Sequence, residues 1–450
     1  MENKEEIIAD IEKLSSDGRG IAHIDGKVTF VGQTCPGDKC KIKILKENKS
    51  YNIAELVEIV EKSPHRVKPF CPMYNVCGAC SLQHIDYNYQ LELKKTIVED
   101  SMRGLLDASI IDDVVPSPEI KEFRHKIQYP VRQTQVSKRI LAGYFKPKSH
   151  DIVNIKYCPI QPHICDEIME FIRENAPKYK IEGYNEKKHS GLLRHVVIRV
   201  SAKTGDNLVV LVLNADKVPE RVKDFAQLLF DKFDKIVGVT ANLNSQKTNL
   251  ILTNKTIPLF GKDYIEETLC GVTFKIGSNT FFQINPKSAE NIFRYVKDYI
   301  KSNYTKPTIL DAYAGISAFG LVMSDVASEV TSVEECKASV DTAKEVKKLN
   351  GINNIKLYCM DCEEFLADKT DKSYDITILD PPRKGCTQKT LDSVLNLTKS
   401  EIIYVSCNPA TLARDLKYLT DKNATVKSIR PFDMFCHSPH IEDVAIIKIN

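Results

Sequence analysis

Up to about residue 62 apolar and polar positions alternate in short runs. Lys27-Val28-Thr29-Phe30-Val31 and Lys41-Ile42-Lys43-Ile44 are the clearest, with Gly18, Gly20, Gly26, Gly32 and Gly37 as punctuation. A period of two turns one face to a core and the other to water, which predicts a small antiparallel β-barrel. Between 88 and 106 the period lengthens: Leu91, Ile97, Val98, Met102 and Leu105 recur at helical spacing, and Pro116 and Pro118 end the region. Residues 160 to 260 read as mixed α/β scaffold, with strands at Leu193 to Val200 and Leu208 to Leu213 and a helix near Arg221 to Phe233. From about Val272 buried strand-like runs alternate with helical stretches, the pattern of a parallel sheet covered on both faces. The 450 residues therefore predict a multidomain α/β chain: a β-barrel at 1–62, a central α+β domain at 63–268 and a Rossmann-like domain at 269–450.

The last segment carries the densest chemistry. Ile402-Ile403-Tyr404-Val405-Ser406 runs into Cys407-Asn408-Pro409, which places a thiol at the carboxyl end of a buried strand, where open α/β sheets put their ligands. Taken alone, a small core cysteine is the commoner explanation. Glu442, in Pro439-His440-Ile441-Glu442, offers a base to the same rim. Pro307-Thr308-Ile309-Leu310-Asp311 opens into a turn through Tyr313 and Gly315, and Glu334 ends the next strand, near the offset at which a carboxylate reaches a ribose. Asp361 and Asp380 end two further strands, and buried charge is too costly for packing alone to collect acids in this way. No phosphate loop with Lys-Ser/Thr occurs, so a nucleoside with no triphosphate, such as S-adenosylmethionine, fits better than a nucleoside triphosphate.

Composition adds less. With 42% hydrophobic and 27% charged residues the chain is ordinary for globular protein, and a formal charge of +3 says little about partners. Its start lacks the basic and apolar regions of a leader and no apolar run approaches a membrane span, which predicts a cytoplasmic protein with no membrane partner. Fourteen cysteines in that compartment point to metal or catalysis before disulfides. Cys71, Cys77 and Cys80 form a C-x5-C-x2-C run with Cys158 as a distant fourth, a set suited to an iron-sulfur cluster and equally to structural zinc. Between Lys121 and Lys148 eight Lys/Arg face one acid, Glu122, with Phe123, Tyr129, Tyr144 and Phe145 interleaved. Such a segment suits RNA, cations holding phosphates and exposed rings stacking on bases, and a solvated hairpin has about equal standing. The barrel has nine Lys/Arg against eleven Asp/Glu through Val60, so only a local face could serve RNA.

Taken together these motifs resemble the RNA uracil-5-methyltransferase family over nearly the whole chain, particularly members acting on 23S ribosomal RNA. The resemblance implies a TRAM domain at the N-terminus, a 4Fe-4S cluster on Cys71, Cys77, Cys80 and Cys158, and RNA contacts from Arg124 and Lys126. It implies S-adenosylmethionine as cofactor, held by Gln283, Tyr313, Gly315, Glu334, Asp361 and Asp380, with Cys407 as nucleophile and Glu442 as proton acceptor. Ser317 departs from a frequent second glycine, Ala314 from a frequent Cys or Ser, and Ala79 from a frequent glycine. RNA, ribosomal in the first place, is the expected partner of a monomeric enzyme, with transfer RNA as the alternative substrate. Two rivals stand beside it. An amino-group methyltransferase is suggested by Asp380-Pro381-Pro382, but Arg383 follows where that class places an aromatic. A non-catalytic iron-sulfur RNA-binding protein would leave the acids at the strand ends unexplained.

Overall fold

The computed structural model describes residues 6–367 and 374–450. The described chain divides into two compact units, one made of 6–74, Ala79–Ser117 and 374–450, the other of Asn75–Gly78 and 118–367.

In the first unit, six strands form a sheet in the order Glu6–Asp10, Lys39–Glu47, Tyr51–Glu61, Lys27–Val31, Gly20–Ile24, Lys13–Leu14. The predicted alternation holds: Ala9, Ile11, Ala22, Val31, Cys40, Ile42 and Ala54 point to one core. One pair, Lys27–Val31 with Tyr51–Glu61, is parallel, so the sheet is mixed and not purely antiparallel. The same unit holds four strands in the order Tyr374–Leu379, Thr398–Ser406, Glu442–Ile449, Ala424–Phe432, with helices Gln388–Leu397 and Pro409–Asp421. The first two strands run parallel and Glu442–Ile449 runs antiparallel to both of its neighbours. Helix Tyr87–Met102 packs on helix Pro409–Asp421.

The buried face of helix Tyr87–Met102 matches the hydrophobic spacing at Ile97, Val98 and Met102 and also takes in polar residues. Leu93, Ile97, Val98 and Met102 are buried together with Gln90 and Lys94, whereas Leu91 is only half-buried. Lys94 is fully enclosed, and its Nζ donates to Asp433 Oδ1 at 2.6 Å, to the His440 carbonyl at 2.9 Å and to the Phe435 carbonyl at 3.2 Å. Burial of an ammonium is tolerable because three acceptors converge on it.

The second unit contains a six-stranded sheet ordered Thr256–Gly261, Ile236–Leu243, Asn207–Leu213, Leu193–Val200, Lys126–Gln133, Ile140–Ala142. Helices Ile164–Asn175 and Glu220–Lys232 contribute to one hydrophobic core with it, through Ile168, Met169, Ile172, Val222, Phe225 and Leu229. It also contains the hairpin Tyr264–Leu269 with Val272–Gly277, and three parallel strands, Ile355–Cys359, Glu329–Glu334 and Thr308–Ala312, in that order. Helices Pro286–Asn303, Ala318–Met323 and Lys337–Leu349 accompany the parallel strands, giving the Rossmann-like strand-helix alternation of the expected fold class. Among the described residues no helix is long and apolar enough to cross a membrane.

Candidate active site

Strand Thr398–Ser406 is buried over its apolar run and delivers Cys407, half-buried, at its carboxyl end. Asn408 then caps helix Pro409–Asp421 by accepting from the Ala410 N–H, and Pro409 occupies the first turn, where its missing N–H is not needed. A strand therefore becomes a helix within two residues of the thiol. Strand Glu442–Ile449 runs antiparallel beside it, with Ser406 opposite Asp443. The ladder ends at that pair, with Cys407 next along one strand's chain and Glu442 the first residue of the other strand.

Electrostatics bear out the proximity. Burial pushes the Cys407 thiol above its usual range and the Glu442 and Asp380 charges add to this, while the Arg383 guanidinium opposes by charge and by a hydrogen bond. Glu442 is fully enclosed; burial raises its carboxyl well above the carboxylate range, Asp380 and Asp443 raise it further, and Arg383 pulls it down. Arg383 belongs to the turn after Tyr374–Leu379, which Gly385 closes with its N–H on the Pro382 carbonyl at 2.8 Å. Asn408 Nδ2 and Thr411 Oγ1 both donate to the Arg383 carbonyl at 3.3 Å, so the helix that follows Cys407 also fixes the arginine's backbone. The sequence reading used Arg383 only to set aside a rival; its part beside the thiol appears only with the fold. Asp443 is a second surprise: burial lifts its carboxyl to about 8, and neither oxygen has a hydrogen-bond partner among the described residues.

In the second unit the glycine turn after Thr308–Ala312 is built from left-handed residues, Tyr313 at φ 61°, Gly315 at 57° and Ser317 at 57°. Glu334 stitches it to the next strand: its Oε2 accepts from the Gly315 N–H and its Oε1 from the Cys336 N–H, both at 2.9 Å. Carboxylate oxygens each have a further lone pair, so a hydroxyl could still be received. A Cβ built on Gly315 would meet nothing within 4 Å, which leaves room for a ligand to approach the turn. Ser317, at the position of the departure from glycine, donates its hydroxyl to Ser332 Oγ at 2.7 Å. Beneath the turn Asp311 Oδ2 accepts from the Gly320 N–H at 2.9 Å, and burial raises this carboxyl to about 7. Asp361 is exposed and caps helix Cys362–Ala367 through the N–H groups of Glu363 and Glu364. Gln283 is half-buried in the loop before helix Pro286–Asn303, whose N-cap is Asn285.

The basic-aromatic segment differs from expectation in its rings. Phe123, in the loop before strand Lys126–Gln133, and Tyr129, on that strand and donating to Gln161 Oε1 at 2.9 Å, are both buried; they are not exposed stacking platforms. Its cations do face one another. Lys126 pairs across the ladder with Arg199, which is buried and whose Nε has no partner among the described residues, and Arg124 lies over the Tyr144 ring at 5.0 Å. Burial, with the charges of Arg199 and Arg124, lowers Lys126 to about 7. Periodicity could have flagged Arg199, an arginine inside an apolar strand. Among the described residues no three His, Cys, Asp or Glu stand where they could hold a metal, Cys71, Cys77, Cys80 and Cys158 included. The expected metal cluster is therefore not shown.

The enclosure of Glu442 sets a testable stability signature. Its folded pKa lies above the unfolded one, so the native state holds the proton longer, and stability falls as pH rises above the ordinary carboxylate range. Glu442→Gln removes that penalty. Its melting temperature is expected to exceed the wild-type value by a few degrees at pH 8, with the gap closing by pH 4, as read by thermal unfolding across pH.

Comparison with known proteins identifies the family of the chain. The sequence pattern of the tRNA (Uracil-5-)-methyltransferase family matches residues 86–449, and that of the TRAM domain of tRNA (uracil(54)-C(5))-methyltransferase matches residues 7–65. An uncharacterized RNA methyltransferase of Clostridium acetobutylicum is 36% identical over 97% of this chain and 96% of its own. One of Halalkalibacterium halodurans is 34% identical over 99% and 98%. The crystal structure of Pyrococcus abyssi tRNA (uracil-54, C5)-methyltransferase in complex with S-adenosyl-L-homocysteine is similar with a TM-score of 0.79 and 27% identity, over 98% of this chain and all of that one. With a matching pattern across most of its length and relatives of this identity, the chain belongs to the RNA uracil-5-methyltransferase family.

Proposed function

We propose that this protein methylates carbon 5 of a uridine in RNA through a covalent adduct of Cys407 with the base, with Glu442 removing the carbon 5 proton. The observation that carries the proposal is that the paired strands end at Ser406 opposite Asp443, each next in the chain to one of the two residues, Cys407 and Glu442. S-adenosylmethionine, when bound, supplies an electrophilic sulfonium methyl group; the open space at Gly315 and the free lone pairs of Glu334 suit its nucleoside, with Tyr313, Gln283, Asp361 and Asp380 as further candidates. Carbon 5 of uracil is too weak a nucleophile to take the methyl unaided. The Cys407 thiolate adds to carbon 6 and drives electron density onto carbon 5, which then bonds the methyl group. Glu442 takes the remaining carbon 5 proton, the thiolate leaves carbon 6 and the ring double bond returns. A carboxylate whose pKa is raised by burial is a stronger base, which is what abstraction from carbon requires. A stacked base hides carbon 6, so the target uridine is flipped out or unpaired.

The thiol chemistry separates this reading from an amino-group methyltransferase and from a binding protein. We expect Glu442→Gln to add to the base and accept the methyl, then stall as methylated RNA joined to Cys407, visible as a slow band on denaturing gels, while Cys407→Ala gives neither product nor band. Wild-type turnover by folded Glu442→Gln with no trapped RNA would reject the assignment. The trapped RNA also reads the target. Ribosomal RNA of the 23S type is the target that the resemblance of the motifs implies, and transfer RNA is the one that the family description and the Pyrococcus enzyme favour.

Arg124 and Lys126 are the proposed phosphate contacts. Their joint replacement by Ala is expected to weaken RNA binding about tenfold or more at low salt and to reduce the slope of log affinity against log salt by roughly 1.4 on single-stranded RNA, about 0.7 for each lost contact. Unchanged affinity and slope would remove both residues from the interface.

Four thiols are the donor set a 4Fe-4S cluster takes, and the spacing of Cys71, Cys77, Cys80 and Cys158 supports a structural one; no step of the reaction is routed through it. Protein purified without oxygen is expected to be brown and to release iron and acid-labile sulfide. Zinc without sulfide would reject the cluster.

A further inference from the structure

The central sheet opens beside Pro130. Strand Lys126–Gln133 pairs with Leu193–Val200 only from Lys126 opposite Arg199 to Pro130 opposite His195; from Val131 on it pairs with Ile140–Ala142 instead. Proline has no N–H with which to continue a ladder, so the first pairing ends there and the strands part. Gly183, bridged to Leu193, fits beside strand Lys126–Gln133 only without a Cβ, which would come to 2.5 Å from the Arg132 carbonyl carbon. Between the parted strands lies a cavity of about 440 Å³, within the range of small-ligand sites, roughly 300–1,000 Å³.

Its lining is built of flat rings and cations. Phe145 stacks on His150 with centroids 5.2 Å apart, and Tyr184 lies under the Arg194 guanidinium at 4.7 Å. Arg194 is committed to the wall, donating to the Asn244, Gln246 and Thr248 carbonyls and so fixing the loop that presents Lys247. Glu186 bonds Arg132 and His150, both at 2.9 Å, leaving the cations in excess. His195 lines the same space; burial and the neighbouring Arg194 lower it to about 4, so it is neutral, and its Nδ1 has no hydrogen-bond partner among the described residues. Rings for stacking, cations for a phosphate and a neutral polar group are the combination by which proteins hold an unpaired nucleotide.

We propose that this cavity receives one unpaired nucleotide of the RNA, its base against Phe145 and Tyr184 and its phosphate at Arg132 and Lys247, as a second anchoring point apart from the uridine that reacts. The proposal rests on RNA being the substrate, and its test is separable from the test of the methylation chemistry. In the full-length protein, Phe145→Leu combined with Lys247→Ala removes one ring face and one cation while keeping the apolar volume. The probe is a short fluorescent single-stranded oligoribonucleotide of mixed sequence carrying 4-thiouridine. Affinity is expected to fall at least about fivefold, the lower end of the loss of one stacked base. The salt slope is expected to shrink by about 0.7, the share of one phosphate on a single strand. Irradiation of the wild type is expected to link the probe near Phe145 or Tyr184. Phe145→Tyr, which keeps the ring, is expected to bind as the wild type; equal losses in Phe145→Tyr and Phe145→Leu would overturn the stacking role. Affinity, slope and cross-links untouched by the double variant, in protein that still forms the Cys407 adduct, would overturn the cavity alone. Dependence on these residues in protein that forms no adduct would support the cavity and reject the methylation reading. Displacement of the probe by nucleoside monophosphates at its own concentration would mark a free-nucleotide site and overturn the assignment to RNA.

Discussion

The enclosed ammonium of Lys94 is the constraint on which the Glu442 end of the first unit depends. The segment between strand Ala424–Phe432 and strand Glu442–Ile449 has no regular structure of its own, yet it determines where Glu442 enters the sheet. Lys94 takes a carboxylate and two carbonyls from that segment, and Tyr87, on the same helix, donates to the second oxygen of Asp433 at 2.8 Å. His437, held at φ 60°, accepts the Ser81 and Leu82 N–H groups on its carbonyl. Removing one partner of a buried pair strands the other without solvent, a loss of about 3–5 kcal/mol. A helix far upstream in the chain thus positions a residue nine from its end.

Around Cys407 the protein gathers negative charge that water does not screen. Asp380, Glu442 and Asp443 each disfavour ionisation of a neighbour, and Arg383 is the cation that appears on the other side of the balance for both Cys407 and Glu442. The arrangement favours holding protons on these groups. Asp443, buried with neither oxygen hydrogen-bonded, is a cost to the fold with no packing reason on its own strand.

The central sheet carries a comparable cost of the opposite sign. Its interior is apolar almost throughout, and Lys126 opposite Arg199 is a like-charge pair that destabilises a ladder. Binding a polyanion would relieve that repulsion and raise Lys126 toward its ordinary range, coupling RNA affinity to protonation of the lysine. The same sheet uses Pro130 to open a cavity where a regular strand would have left none.

Hydrophobic period alone determined much of this protein. The strand Lys27–Val31, the strand Leu193–Val200, the parallel alternation after Val272 and the placement of Cys407 just past a buried strand all follow from local pattern, because period two and period 3.6 are set by backbone geometry before any tertiary contact exists. Position was equally legible: Glu334 ends the strand after the glycine turn, and Cys407 follows the end of a buried strand. What only the tertiary structure decided is which polar groups share a low dielectric. Lys94 reads as a surface lysine until Asp433, some 340 positions later, closes on it. Arg383 reads as a loop residue until the helix after Cys407 pins its backbone, and Phe123 and Tyr129 read as RNA-facing rings until the sheet turns them inward. Burial and charge pairing depend on distances between segments remote in sequence, and no local period encodes those distances.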